Sequence, residues 1–465
     1  MQQGMLYHTV TADAPGTYSI QVSYTIKGDL DTKAFFDAWR ALVDRHAILR
    51  TSFHWLGLAE PEQRVHRSCP LTTTEEDWSA LEPGQQEARL GELLSTESER
   101  GFVLTEPPLL RVALIKLDPS THAFVLVHHH LLLDGWCKSL LFKELFEFYE
   151  AIREERACVL EPPPLYRDYI RWLKEQDLGE AEAFWHEELA GFGAPTPLWP
   201  ALPVPEGTAE RDYEEQRFEV GTEVTAALGQ FCRTQRVTAN TLIQAVWALM
   251  LSDGAGADDV AFGATVSGRP PSLEGADATM GLFINTIPVR VRIEREVSLS
   301  AWLRKCQLGH ARARDYDYAP LSRIRHWSSV SGGRPVFESI VVFENNVGFG
   351  KAWERYGDVE LGNARAVIRN SLPLTLRAVP GAVLHYQLLY DTKRFSSETI
   401  RRIGVTMGGL LEQLPGLEDA SVGVLLARLE ASGRRQESER ASAVKGSMAA
   451  RLRSARRART ARVVP

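Results

Sequence analysis

Apolar positions along this chain switch repeatedly between a period of two and helical spacing, a pattern that predicts a mixed α/β protein. Tyr18, Ile20, Val22, Tyr24 and Ile26 alternate with polar neighbours, as in a strand with one buried face. Asp31 then stands where it can cap a helix whose Phe35, Trp39, Leu42 and Val43 form one stripe. Residues 74–100 are acidic and read as helical, and Pro107 to Leu117 reads as a strand. Ala123 to Val127 is an unbroken apolar run, expected as a buried strand. Helical spacing returns after it at Leu141, Leu145, Phe148, Tyr149 and Ile152. A proline-led helix is expected from Tyr166 to Leu173.

Prolines at 195, 197, 200, 203 and 205 make residues 194–207 read as a stiff connector. They set a boundary between residues 1–193 and 208–430. Beyond it the pattern predicts a strand at Glu214 to Val220 and helices at Val224 to Gln235 and Ala239 to Leu251. The second of these helices is apolar nearly all round and so is expected to be buried. A strand from Asp259 to Ser267 follows, then one with Phe283, Ile287, Val289 and Val291 on one face. A hairpin-like pair within 372–376 and 383–390 precedes a closing helix, Ser397 to Leu414. Residues 431–465 hold ten lysines or arginines against two acids and read as a basic, disordered tail.

Composition narrows the function classes. At 465 residues, with 44% apolar and 9% aromatic positions, the chain exceeds one ordinary core and is expected to form two subdomains. A net charge of −7 gives no case for nucleic acid as the partner of the main body. No stretch is long and apolar enough to cross a membrane, and Met1 to Gly16 lacks the features of a secretory signal. Cysteines at 69, 137, 158, 232 and 306 show no CxxC spacing, which predicts a reduced, cytoplasmic setting.

The candidate chemistry lies where the apolar run meets the next helix, in His128-His129-His130-Leu131-Leu132-Leu133-Asp134-Gly135. A single histidine there would read as a packed core residue. Three adjacent imidazoles are hard to satisfy in an apolar core without a purpose. His130 is the candidate to meet substrate, since imidazole can accept or donate a proton near neutral pH. Asp134 can orient the loop or pair with an arginine, and Gly135 allows close backbone approach or a positive φ. Zinc is disfavoured: neighbouring side chains on a strand point to opposite faces, and no distant ligand set is apparent.

The string His129-His130-Leu131-Leu132-Leu133-Asp134-Gly135 resembles the HHxxxDG motif of nonribosomal peptide synthetase condensation domains, in the chloramphenicol-acetyltransferase-like acyltransferase superfamily. Arg45 to Phe53 is similar to the RHxxLRTxF motif of that family, Tyr166 to Leu173 to its fourth motif, and Met280 to Arg290 to its fifth. Tyr316 to Leu321 and Val341 to Asn345 are looser matches to the sixth and seventh. Gln2 to His8 looks like the end of the first motif, without the residues that usually precede it, so a late or truncated start is expected. No adenylation domain follows residue 430, so a free-standing protein or a fragment is expected.

The resemblance implies two chloramphenicol-acetyltransferase-like α/β subdomains arranged in a V, with the active site in the cleft between them. It implies amide formation by attack of an acceptor amine on a carrier-bound aminoacyl or peptidyl thioester. His130 would act as a base or position the amine, His129 would support the loop, and the Gly135 N–H would orient substrate. Arg269, in Ser267-Gly268-Arg269-Pro270, would pair with Asp134, with Arg50 as the competing partner. Asn285 and Thr286 either line a cavity or satisfy neighbouring backbone. The chain itself would carry no metal or cofactor. Phosphopantetheine would arrive on donor and acceptor peptidyl carrier proteins, and neighbouring synthetase modules would be partners. An acyl-CoA-dependent acyltransferase and an inactive carrier-docking module are the alternatives. The absence of a DFGWG motif counts against the first, and His129 and His130 exclude a cyclisation domain.

Overall fold

The computed structural model describes residues 2–11, 16–199, 213–330, 334–344, 353–368 and 372–431. Its elements begin with α1 (Gln2–Thr11), β1 (Ser19–Gly28), α2 (Thr32–Arg45), β2 (Thr51–His54) and β3 (Glu62–Val65). Next come β4 (Thr72–Asp77), α3 (Pro83–Arg100), β5 (Leu110–Asp118), β6 (Thr121–His129), α4 (Cys137–Arg153), α5 (Tyr166–Glu175) and α6 (Leu178–Glu188). The chain continues with β7 (Tyr213–Val220), α7 (Thr222–Gln235), α8 (Ala239–Ala255), β8 (Asp259–Val266), β9 (Asn285–Arg292) and α9 (Leu299–Arg314). The last are α10 (Leu321–Trp327), β10 (Ser339–Phe343), β11 (Glu354–Tyr356), β12 (Val359–Ile368), β13 (Leu374–Val379), β14 (Leu384–Asp391) and α11 (Ser397–Gln413). The mixed α/β class expected from the patterning is the class observed.

Two compact units account for these elements. One comprises residues 1–194, 263–289 and 312–381, and the other residues 195–262, 290–311 and 382–465. Of the expected connector 194–207, residues 200–207 lie outside the described residues. So do Asn345, residues 12–15, and the basic tail after residue 431.

The first unit is built on a six-stranded sheet in the order β11-β12-β1-β6-β5-β4. In it β6 is antiparallel to both β1 and β5. Successive side chains of β6 enter two different cores, as a period of two requires. Phe124 and Leu126 pack with Phe35, Trp39 and Leu42 of α2 and with Leu141 and Leu145 of α4. Ala123, Val125 and Val127 pack on the opposite face with Trp78, Ile115 and the partly buried Leu90, Leu93 and Leu94 of α3. That second layer also corrects the expectation for β1. Ser19, Gln21 and Ser23 are buried rather than solvent-facing, and Gln21 Nε2 donates to Leu94 O at 2.8 Å. The expected helix over 74–100 begins only at Pro83, because Thr72–Asp77 pairs in parallel with β5 as an edge strand.

Helix α2 starts where Asp31 accepts the Ala34 N–H at 2.9 Å, the cap expected from sequence. At its far end Arg45 and His46 both reach Glu144 of α4, at 2.9 and 2.6 Å. The first half of the Arg45–Phe53 motif thus fastens α2 to α4.

In the second unit, β7 and β14 pair antiparallel through eight residues, Tyr213↔Asp391 to Val220↔Leu384. Helix α11 packs on β7, where the Phe218 ring occupies the space a Cβ on Gly404 would need, 2.1 Å away. Helix α8 is buried at every position from Thr241 to Ser252, as its all-round apolar pattern predicts.

Burial alone would raise the Glu144 pKa, but hydrogen bonds from His46 and Arg45 outweigh it and hold the carboxyl below its ordinary value. A depressed folded pKa contributes stability that is complete above the unfolded value of about 4.3 and is lost as pH falls through the folded value. Glu144→Gln should therefore cost about 1–3 kcal/mol at pH 7 in urea unfolding, and the gap to wild type should narrow below about pH 4. An unchanged gap at acid pH would contradict the ionic role.

Candidate active site

Strand pairing holds the backbone past the end of β6. His129 N–H donates to Leu109 O at 3.0 Å, and His130 N–H donates to Tyr18 O at 2.9 Å. The three imidazoles therefore leave a fixed backbone on alternating sides. His129 is 1% exposed, and its Nδ1 accepts the Leu131 N–H at 3.2 Å. That contact assigns the proton to Nε2, which lies 3.4 Å from Thr9 Oγ1. His128 is buried beside the His129 carbonyl, with Nδ1 3.3 Å from it. Burial pushes both rings down to about 3, so both are neutral at physiological pH.

His130 is half-buried, and its Nδ1 is enclosed without a geometrically satisfied hydrogen bond. Its pKa is lowered by burial first; hydrogen bonding with the backbone of His130 and Leu133 and the Asp134 charge raise it, and Lys138 lowers it.

Asp134 is 3% exposed and fully engaged. Its Oδ2 accepts the N–H groups of Phe283 and Ile284, at 2.9 and 3.3 Å. Its Oδ1 accepts from Cys137 N and Cys137 Sγ, both at 3.3 Å, and from Arg269 Nη2 at 3.4 Å. Arg269 is itself enclosed. Its Nη1 donates to Ala276 O and Thr279 O, and its guanidinium lies 4.0 Å from the Phe283 ring centroid. Gly268 makes this turn possible. Its φ is +60°, and a Cβ would fall 1.9 Å from Phe283 O.

The remaining sequence candidates separate. Gly135 is exposed, has no positive φ, and a Cβ there would have nothing within 4 Å. Arg50 lies with the carbonyls of Val43, Asp44, His66 and Arg67 and makes no bond to Asp134. Asn285 satisfies backbone, its Nδ2 donating to Asp317 O at 2.7 Å and Ala319 O at 2.8 Å. Its Oδ1 accepts the Thr286 N–H at 2.9 Å.

Two contributors were not singled out from sequence. Cys137 also donates from Sγ to Gly281 O at 3.1 Å and accepts Gly281 N–H at 3.3 Å. Tyr166 donates to Leu282 O, and its ring fills the space where Gly281 lacks a side chain. These anchors explain why Phe283 is not in the expected strand. Strand β9 begins only at Asn285, and Asp134 holds residues 283–284 in place of a neighbouring strand. A glycine facing an aromatic motif is the only signal the sequence offered for this contact.

Asp134→Ala would strand the Arg269 guanidinium and two buried N–H groups, at an expected cost of about 3–5 kcal/mol in urea unfolding. Asp134→Asn keeps an acceptor oxygen and should cost less, about 1–3 kcal/mol. Equal stability of Asp134→Ala and wild type would contradict this.

Comparisons with known proteins fit this geometry. The condensation domain family model matches residues 1–423. Linear gramicidin synthase subunits B and C of Brevibacillus parabrevis are each 39% identical, over 414 and 416 residues, 89% of this chain. The chain covers 8% and 5% of those two synthases, so it spans less than a tenth of the length of either. The fold is similar to the first condensation domain of the calcium-dependent antibiotic synthetase, solved with a substrate analogue. The TM-score is 0.74 at 17% identity, covering 91% of this chain and 96% of that one. With the family match running through nearly the whole described chain, this protein belongs to the condensation domain family of nonribosomal peptide synthetases.

Proposed function

We propose that this chain forms an amide bond by attack of an acceptor amine on an aminoacyl or peptidyl thioester. Donor and acceptor are each delivered on the phosphopantetheine of a peptidyl carrier protein, and neighbouring synthetase modules supply both. The observation that carries the reading is the division of labour in the loop after β6. Asp134 is enclosed by five donors, whereas the half-buried His130 beside it has an imidazole whose pKa is lowered by burial. A neutral imidazole can accept the amine's proton or hold the amine by a hydrogen bond.

A thioester is already activated, so the step needs no protein nucleophile. The amine nitrogen adds to the thioester carbonyl, and the C–N bond forms as the carbonyl oxygen takes the negative charge. The nitrogen gives up a proton toward His130 Nε2. Collapse of the intermediate then breaks the C–S bond, and the proton leaves with the phosphopantetheine thiol. Cys137 does not compete as a nucleophile: burial pushes its thiol pKa far up and its sulfur is bonded to Gly281 and Asp134. The exposed Gly135 backbone, with open space over it, leaves room for substrate beside His130. All five cysteines are free thiols, which supports a cytoplasmic setting.

The test is a single-turnover reaction of loaded donor and acceptor carriers, read as condensed product by intact mass. His130→Ala should keep its circular dichroism spectrum and lose about 10²–10⁴-fold in rate. Product from an acyl-CoA donor but not from a carrier would move the assignment to an acyl-CoA-dependent transferase. Carrier binding without product from either donor would leave a docking module. Gly135→Ala offers a milder check. With nothing within 4 Å of the added methyl, it should fold with unchanged stability and yet slow the reaction. Full activity in that variant would argue that substrate passes elsewhere.

A further inference from the structure

The end of β6 is anchored on both sides, and one of the two anchors is strained. His129 N–H donates to Leu109 O, just before β5, and His130 N–H donates to Tyr18 O at 2.9 Å. Tyr18 is the third residue of a turn closed by Ser19 N–H to Gly16 O at 2.9 Å. Its φ is +60°, in the left-handed region, where the Cβ of an L-residue crowds the following carbonyl. Glycine or asparagine is the usual occupant of such a position. Three other non-glycine residues share this conformation among the described residues, and each has a local reason. Glu155 and Arg236 lie just past the ends of α4 and α7, where helices commonly finish left-handed. Asn363 has the short polar side chain that tolerates it. Tyr18 has neither excuse, and its carbonyl is bonded to the residue assigned to meet the amine.

The surroundings hold the turn in that shape. Gly16, with φ +80°, lies so near α3 that a Cβ would meet Ser98 O at 2.0 Å. On the other side of the turn, Ser19 and Ile20 are already paired with His129 and His128. The Tyr18 ring is half-buried against the apolar core of the first unit. A strained residue persists where its neighbours over-determine it, and such residues gather at functional sites. We propose that Tyr18 is a positioning residue that acts through His130. The left-handed main chain of the turn aims the Tyr18 carbonyl at the His130 N–H and so fixes the direction in which the imidazole leaves the strand end. The inference rests on the amide-forming role of His130 given above. Attack by the amine needs the imidazole in one place, and a backbone pinned at both 129 and 130 keeps it there.

Substitutions separate the main chain from the ring. Tyr18→Asn removes the ring and keeps a residue that accepts a left-handed φ. Tyr18→Val removes the ring and, being β-branched, opposes that φ. Circular dichroism first shows that each variant folds. Tyr18→Ala opposes the left-handed region less than valine does, should fall between the two, and keeps the comparison open if Tyr18→Val does not fold. Amide hydrogen exchange at single residues is the readout that does not depend on turnover. In Tyr18→Val the His130 N–H should exchange about tenfold faster than in wild type, with the His129 N–H unchanged within about twofold. In Tyr18→Asn both should stay within about twofold of wild type. In the single-turnover reaction at saturating carriers, Tyr18→Val should lose on the order of 10–100-fold in rate, with half-saturating carrier concentrations unchanged. Tyr18→Asn should lose less than about threefold. Wild-type exchange and rate in Tyr18→Val would overturn the proposal. An equal loss in Tyr18→Asn would overturn it too, by giving the role to the ring. A matching rise in exchange at His129 would do the same, by showing general loosening of the strand end. Absence of product from wild type itself would instead remove the amide-forming reading, and the exchange comparison would still decide whether the turn holds His130.

Discussion

A carboxylate taken out of water is the constraint on which this site depends. Burying an ionised group is tolerable only where charge and hydrogen bonds replace its hydration. Asp134 meets that condition with donors from Cys137, Arg269, Phe283 and Ile284, residues as far as 150 positions from it in sequence. None of those donors can move without leaving the charge short of a partner. The loop after β6, the turn at Gly268 and the 281–284 segment are therefore held as one body. His130 lies four residues before Asp134 on that loop, so its direction is fixed by an interaction in which it takes no part.

The second determinant is the position of β6 between two apolar layers. Because both faces of the strand are covered, side chains at its end are covered as well, and the imidazoles of His128 and His129 cannot hold a charge. His129 turns this to use by spending both ring nitrogens on structure, one on the Leu131 N–H and one on Thr9. His130 stands one residue later, where the strand ends and the side chain is only half-buried.

Periodicity made much of this legible. The buried β6, the helix after it, the Asp31 cap and the all-round apolar α8 follow from spacing and local chemistry, since each depends on residues close in sequence. The errors share one physical origin. Thr72–Asp77 carries no apolar signal of a strand because it forms a sheet edge, and the polar face of β1 reads as exposed because α3, which covers it, lies 60 or more residues away. Phe283 fits a strand's alternation, yet the partner of its N–H is a side chain rather than a neighbouring strand. The pairing of Asp134 with Arg269 came from family resemblance, since no spacing rule links residues 135 positions apart. The part played by Cys137 was not legible, because a thiol's hydrogen bonds leave no trace in composition.

The order of residues in His129-His130-Leu131-Leu132-Leu133-Asp134-Gly135 can be read as two inward–outward pairs. His129 and Asp134 are turned into the protein and consume their hydrogen-bonding capacity there. His130 and Gly135, each one residue later, are less enclosed, the first half-buried and the second exposed. A strand end produces the first alternation and the entry to α4 produces the second, with three buried leucines between them setting the distance. Because a strand's side chains alternate with period two, a slip of β6 by one residue against β1 would turn His129 outward and bury His130. The register Ser19↔His129 is held by the whole ladder of β1 and β6, from Lys27↔Thr121 upward. The side to which each imidazole turns is therefore specified by nine residue pairs along the whole of β6.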